Sequence, residues 1–132
     1  MAKWTLDIGQ YAKKQEQKLL DVRKMFVFAL YNSITTKNPV DTGRSRANWN
    51  VSENEPDYTT FENKDKHYEL KYNNVEQLPI NAKSDESLFI ANALPYIRRL
   101  EYGYSKQAPN GMVGVTLAGA DNLLEEIVRG IQ

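Results

Sequence analysis

From Thr5 to Thr36 the chain contains no proline, and its one glycine in that span is Gly9, close to the start. A run with so few breakers predicts a single long helix over 5–36. Thr5 suits the N-cap and Asp7 the first turn, where the helix dipole favours an anion. Leu19, Val22, Phe26, Ala29 or Leu30, and Ser33 or Ile34 recur at three-four spacing and form an apolar stripe. Phe26 to Leu30 is apolar all round, which predicts burial on more than one side. Burying one such side chain contributes ~2–3 kcal/mol, so this half should anchor the helix. The first half, Tyr11 to Lys18, is polar nearly all round and reads as a solvated or subunit-facing surface.

Lys37-Asn38-Pro39 ends the run, because Pro39 lacks an amide proton and pushes Asn38 out of helical geometry. Asp41 or Thr42 can then cap a short helix over 43–48. Trp49 to Ser52 alternates as a strand, and 53–65 reads as an acidic loop or irregular hairpin arm with Pro56. Tyr68, Leu70 and Tyr72 alternate with His67, Glu69 and Lys71, the pattern of a half-buried strand. Ser87 to Asn92 reads as a central strand. Pro95 fits the first turn of a helix through Tyr102, stopped by Gly103. Tyr96, Ile97, Leu100 and, on the flank, Tyr102 should face the core, with Arg98 and Arg99 outward. Gly103 to Gly111 lacks periodicity and reads as an interaction loop carrying Tyr104, Ser105, Lys106 and Gln107. Residues 112–117 fit a strand, a helix start, or both in succession. Leu123, Leu124, Ile127, Val128 and Ile131 stripe a last helix from Asp121. The expected fold is α+β, with the long N-terminal helix and the C-terminal helix packed on a small antiparallel sheet. At 132 residues the chain suits one domain, 1–132.

The chemistry is sparse. There is no cysteine and the one histidine is His67, so neither a disulfide framework nor a multi-histidine metal site is expected. Glu125 and Glu126 diverge on a helix. Asp41-Thr42-Gly43 imitates a catalytic aspartate loop, but a long helix precedes it, and Gly111 to Gly114 lacks the Lys-Ser/Thr of a phosphate loop. These features point away from an enzyme and from any cofactor. The N-terminus lacks the apolar core of a signal peptide, and Met25 to Tyr31 is too short to span a bilayer, which suggests synthesis in the cytoplasm and no membrane partner.

Net charge is zero but unevenly spread: +5 over residues 1–50, −5 over 51–86 and zero over 87–132. Such a split suits head-to-tail self-association better than general nucleic-acid binding. Lys13, Lys14 and Lys18 nevertheless cluster on the long helix and offer phosphate contacts. Arg44 and Arg46 diverge, and either can pair with an acid such as Asp41 or Glu101.

Two stretches taken together carry a resemblance. Pro39-Val40-Asp41-Thr42-Gly43-Arg44-x-Arg46-x-x-Trp49 is similar to a Pro-Val-Asp-Thr-Gly…Trp motif of the tail-completion or neck proteins of long-tailed bacteriophages. Asn92, Pro95-Tyr96, Glu101-Tyr102-Gly103 and Ser105-Lys106-Gln107 resemble that family's second block, a Pro-Tyr segment leading to Glu-Tyr/Phe-Gly-Thr-Ser-Lys. The resemblance spans most of residues 5–130. It implies a non-enzymatic virion protein, made in the host cytoplasm, that forms a homo-oligomeric ring at the head–tail joint. A hexamer is the first expectation and a dodecamer the second. The implied neighbours are the portal and head-closure or adaptor proteins on one side and tail-terminator or tail-tube proteins on the other, with genomic DNA in the channel. The chain departs from the family at Tyr104, where Thr or His is common, and after Pro109, where Asn-Gly-Met-Val replaces Pro-Phe-Leu-Arg-Pro. The alternative from the residues alone is a small DNA-binding protein using the basic helix.

Overall fold

The computed structural model describes residues 8–39, 44–60, 70–81, 87–103, 106–108 and 110–131. In chain order the elements are α1 (Ile8–Lys37), α2 (Arg44–Ala47), β1 (Asn50–Glu53), a 3-10 turn (Val75–Gln77), β2 (Leu88–Ala91), α3 (Ile97–Glu101), α4 (Val113–Ala118) and α5 (Ala120–Ile131). The architecture is α+β: a long N-terminal helix, C-terminal helices and a small antiparallel sheet.

The uninterrupted run does form one helix, with α1 spanning 30 residues. Its first half is solvated: Lys13 to Leu19 is exposed throughout. The buried face of the second half matches the expected stripe only in part. Leu19 is 70% exposed, and the inaccessible positions are Val27, Tyr31, Ile34 and Thr35, followed by Asn38 beyond the helix. Ile34 is common to this face and the expected stripe, Val22, Phe26, Ala29 and Leu30 of that stripe are half-buried, and Tyr31 and Thr35 lie outside it. Tyr31 stacks edge-on against Tyr72, with ring centroids 5.1 Å apart. Thr35 returns its hydroxyl to the carbonyls of Tyr31 and Asn32 at 2.9 and 3.1 Å. Phe26, Phe28, Ala29 and Leu30 are half-buried, so all-round burial is not reached.

β1 and β2 pair antiparallel in the register Asn50↔Ala91, Val51↔Ile90, Ser52↔Phe89 and Glu53↔Leu88. Among the described residues the sheet has two strands, so β2 is not the central strand expected. The expected third strand is absent at Leu70 to Tyr72, which is irregular backbone; His67 to Glu69 lie outside the described residues. Tyr72 instead turns its phenol to the amide of Val51 at 3.3 Å, sealing the sheet end by a side chain and not a ladder.

The arm after β1 explains why both faces of that strand are covered. Trp49 and Val51 enter the core, yet Asn50 between them is also inaccessible. Its amide donates to the carbonyls of Asp57 and Thr59 at 3.0 and 2.8 Å, and its oxygen accepts from the Lys71 ammonium. The arm turns at Asn54, whose φ of 72° is in the left-handed region that Asn tolerates. Burial beside Asn50 pulls the Lys71 pKa down.

The core joins α1 (Val27, Tyr31, Ile34) to Trp49, Val51, Leu78, Ala108 and Met112. Residues 113–118 are helical, which decides between strand and helix for that segment. α5 lies along α1, and α4 touches both helices.

Candidate functional site

The two stretches that stood out in the sequence fold into one polar joint at the C-terminal end of α1. A helix end leaves its last carbonyls without partners. Arg46, carried by α2, supplies them: its Nε donates to Thr35 O at 2.6 Å and a terminal nitrogen to Thr36 O at 3.1 Å. The guanidinium thus lies where the helix dipole favours a cation. Arg46 therefore binds backbone; of the acids the sequence suggested, Asp41 lies outside the described residues and Glu101 turns to the amides of α4.

Asn38 is the hub beside it. Its amide donates to Ser45 Oγ at 2.7 Å and to Pro39 O at 2.9 Å. Its oxygen accepts the indole N–H of Trp49 at 2.9 Å. Asn92, just after β2, donates to Ser45 O at 2.8 Å. Asn38, Ser45 and Trp49 are all buried. One hydrogen-bonded cluster therefore ties α1, α2 and both strands together, and each buried polar group in it is matched. Pro39 is buried here; Asp41, Thr42 and Gly43 lie outside the described residues.

The second stretch is built around Glu101. α3 spans Ile97–Glu101, shorter at both ends than expected. Pro95 is exposed ahead of it and Tyr96 is half-buried. Tyr102, expected on the flank of the core-facing side, is 85% exposed. Gly103 follows with φ 86°, which ends the helix as expected. Glu101 reaches across the loop to the start of α4. Its carboxylate accepts from the amides of Met112 at 3.0 Å, Val113 at 2.8 Å and Gly114 at 2.8 Å. Three otherwise orphaned donors at a helix start are thereby satisfied by one side chain. Partial burial raises the cost of the charge, but the amides of Gly114, Val113 and Met112 outweigh it, so the Glu101 pKa is lowered. The tight approach requires Gly111: its φ is 81°, and a Cβ there would meet Glu101 O at 2.3 Å. α4 is tied to α1 in turn by a Ser33–Thr116 hydroxyl pair at 2.8 Å, and Lys37 donates to Ser33 at 2.6 Å.

Between the joint and the loop runs an open groove of about 320 Å³. Arg46 and Lys37 flank one wall, and Gln107, Asn110 and Val115 the other. The groove thus takes residues from both stretches. Lys106 and Gln107 are exposed on the loop, as are Arg98 and Arg99 on α3. Tyr104 and Ser105 lie outside the described residues, and so does His67. Lys13, Lys14 and Lys18 are exposed on the first half of α1 and belong to no part of the joint. Sequence reading missed Asn38, Asn50 and Asn92 as structural hubs. The available signal was an asparagine next to a proline or an apolar strand, where a short amide readily bonds backbone.

Among the described residues no group of three or more His, Cys, Asp or Glu is placed to hold a metal ion, and no helix is long and apolar enough to cross a membrane. The joint's polar groups are engaged with one another and with backbone, an arrangement that fixes geometry. Comparison with family models, with curated proteins and with solved structures finds no match to this chain.

Proposed function

We propose that this chain is a structural assembly protein of a tailed bacteriophage or prophage, a subunit of a ring in the neck or tail-completion position. The observation that carries this reading is the convergence of the two resembling blocks. Pro39, Arg46 and Trp49 from the first, and Asn92 and Glu101 from the second, hold the end of α1 and the base of one exposed loop. A resemblance spread over distant positions carries more weight when those positions form one working unit. The rigid part of the subunit is the core of α1, β1 and α4; the contacting parts are the loop after α3 and the exposed first half of α1. Rings of six are expected first and of twelve second. The subunit would sit in the virion between portal or head-closure proteins and tail-terminator or tail-tube proteins.

Deleting the gene in a producing phage tests the reading: heads and tails should accumulate unjoined. Particles that lack the protein yet join heads to functional tails would overturn it. A second reading, DNA contact, draws on the exposed Lys13, Lys14 and Lys18. Filter binding should then show DNA affinity that falls steeply with salt, and its absence at low salt removes that reading.

A further inference from the structure

We propose that Tyr102 and Lys106 of one copy dock on the acidic arm 53–59 of a second copy, so that neighbouring subunits meet head to tail. This contact rests on the self-associating ring proposed above and names its two faces.

The donor face is pre-set. Glu101 uses both carboxylate oxygens on three amides at the start of α4, so they are engaged within the chain and do not pair with the exposed cations of α3 and the loop. Arg98 and Lys106 stay exposed. Tyr102 is held 85% exposed between that anchored carboxylate and Gly103, with its own amide bonded to Arg98 O at 3.0 Å. A large exposed aromatic side chain on hydrogen-bonded backbone is a usual anchor of a protein interface.

The receiving face is equally fixed and opposite in sign. Residues 51–60 contain Glu53, Glu55 and Asp57 and no lysine or arginine; the cation beside the arm, Lys71, is held by Asn50 and interacts with Asp57, which leaves the arm acidic on balance. Asn50 pins the arm at Asp57 and Thr59, and Ser52 Oγ donates to Glu55 O at 2.7 Å. The arm encloses an open hollow of about 500 Å³ between these acids and Tyr58, which is itself 67% exposed. Glu53 uses one carboxylate oxygen on the Asn81 amide at 2.6 Å and its other oxygen is buried, so Glu55 and Asp57 are the acids nearest the open side of the hollow. A hollow with acid walls and an aromatic rim suits a tyrosine and a lysine. A second copy is the occupant because every copy carries both faces and the whole chain is neutral, so each contact cancels charge without leaving an excess. Two different patches on each copy make a heterologous contact, which closes into a ring when its rotation allows.

The test is sedimentation velocity of the full chain over a concentration series at low salt. Wild type should self-associate, less so as salt rises. Tyr102→Ala and the double variant Arg98→Glu/Lys106→Glu should each weaken association about tenfold or more. Glu55→Lys should weaken it as well. Mixing Arg98→Glu/Lys106→Glu with Glu55→Lys should restore association above that of either alone. Thermal melts matching wild type confirm folding, and Lys106→Gln serves where the double variant melts early. A monomeric wild type, or association unchanged by the reversals, overturns the contact. Rings that form by other surfaces would sink this contact and spare the proposed function; phage assembly without the protein would sink the function itself.

Discussion

The indole N–H of Trp49 donates to the side-chain oxygen of Asn38 at 2.9 Å, joining the entry of the sheet to the residue just past α1. Trp49 is only 5% exposed and belongs to the central core. Trp49→Phe should keep most of the packing and lose the bond, leaving a buried acceptor unmatched at a cost of about 1–3 kcal/mol. Trp49→Ala adds the cavity and should cost about 3–5 kcal/mol. Denaturant melts of the two variants check the order. Tyr96 is half-buried, so Tyr96→Ala should cost less than Trp49→Ala.

Glu101 makes stability depend on pH. Its folded pKa is lowered, so the unfolded state binds the proton more readily. The stabilisation is therefore fully present above the unfolded glutamate pKa and is lost as pH falls through the lower, folded one. Glu101→Gln should flatten the acid side of the stability curve and cost about 1.5–3 kcal/mol at neutral pH, the range for hydrogen bonds to a charged group. Urea melts across the acid range measure both effects. An acid limb identical in variant and wild type would show that the carboxylate contributes nothing there.

What was legible in the residues divides along physical lines. α1 and α5 were readable because local periodicity and the lack of breakers suffice to define them. Gly103 and Pro39 were readable as stops for the same reason. The buried face of α1 was only partly legible because Tyr31 packs on Tyr72, distant in sequence, and Thr35 satisfies its hydroxyl on the helix's own carbonyls. Residues 112–117 fit a strand, a helix start, or both in succession, so local pattern alone leaves the segment open. Residues 113–118 are helical because Glu101, more than ten residues earlier, caps them. Asn50 was not legible because two of its partners, Asp57 and Thr59, lie on an arm without periodicity, and the third, Lys71, is distant in sequence. The joint was visible as two unusual stretches, but nothing in their order along the chain showed that they would meet.

Arg46 should not tolerate lysine. Its planar fork reaches two successive carbonyls, Thr35 at 2.6 Å and Thr36 at 3.1 Å. A lysine carries the charge but not that geometry. Arg46→Lys should cost about 1 kcal/mol and Arg46→Ala about 2 kcal/mol, because the α1 end then has carbonyls without partners. Amide exchange localises the effect: protection should fall first in the last turn of α1, with the Met112–Gly114 amides unchanged. Loss of protection spread evenly over the chain would show that the fork does not act locally.

Gly111 is the position where the loop has no latitude. Its φ of 81° alone disfavours any residue with a Cβ, and the nearest atom, Glu101 O at 2.3 Å, is backbone that cannot swing aside. Gly114, by contrast, has helical backbone and would bring a Cβ within 3.4 Å of Glu101 Oε1, a contact that a small shift of the side chain relieves. Gly111→Ala should therefore cost about 2 kcal/mol or more by combining backbone strain with a clash. Gly114→Ala should be near neutral, because the gain in helix propensity of about 1 kcal/mol offsets that shift. The comparison separates two roles of one segment. If the loop must pass close over Glu101 to present Tyr102 and Lys106, Gly111→Ala will weaken both folding and self-association, whereas Gly114→Ala will leave both intact. Parallel melts and sedimentation runs on the pair read this directly, and equal behaviour of the two variants would rule out the close passage at Gly111 as the constraint.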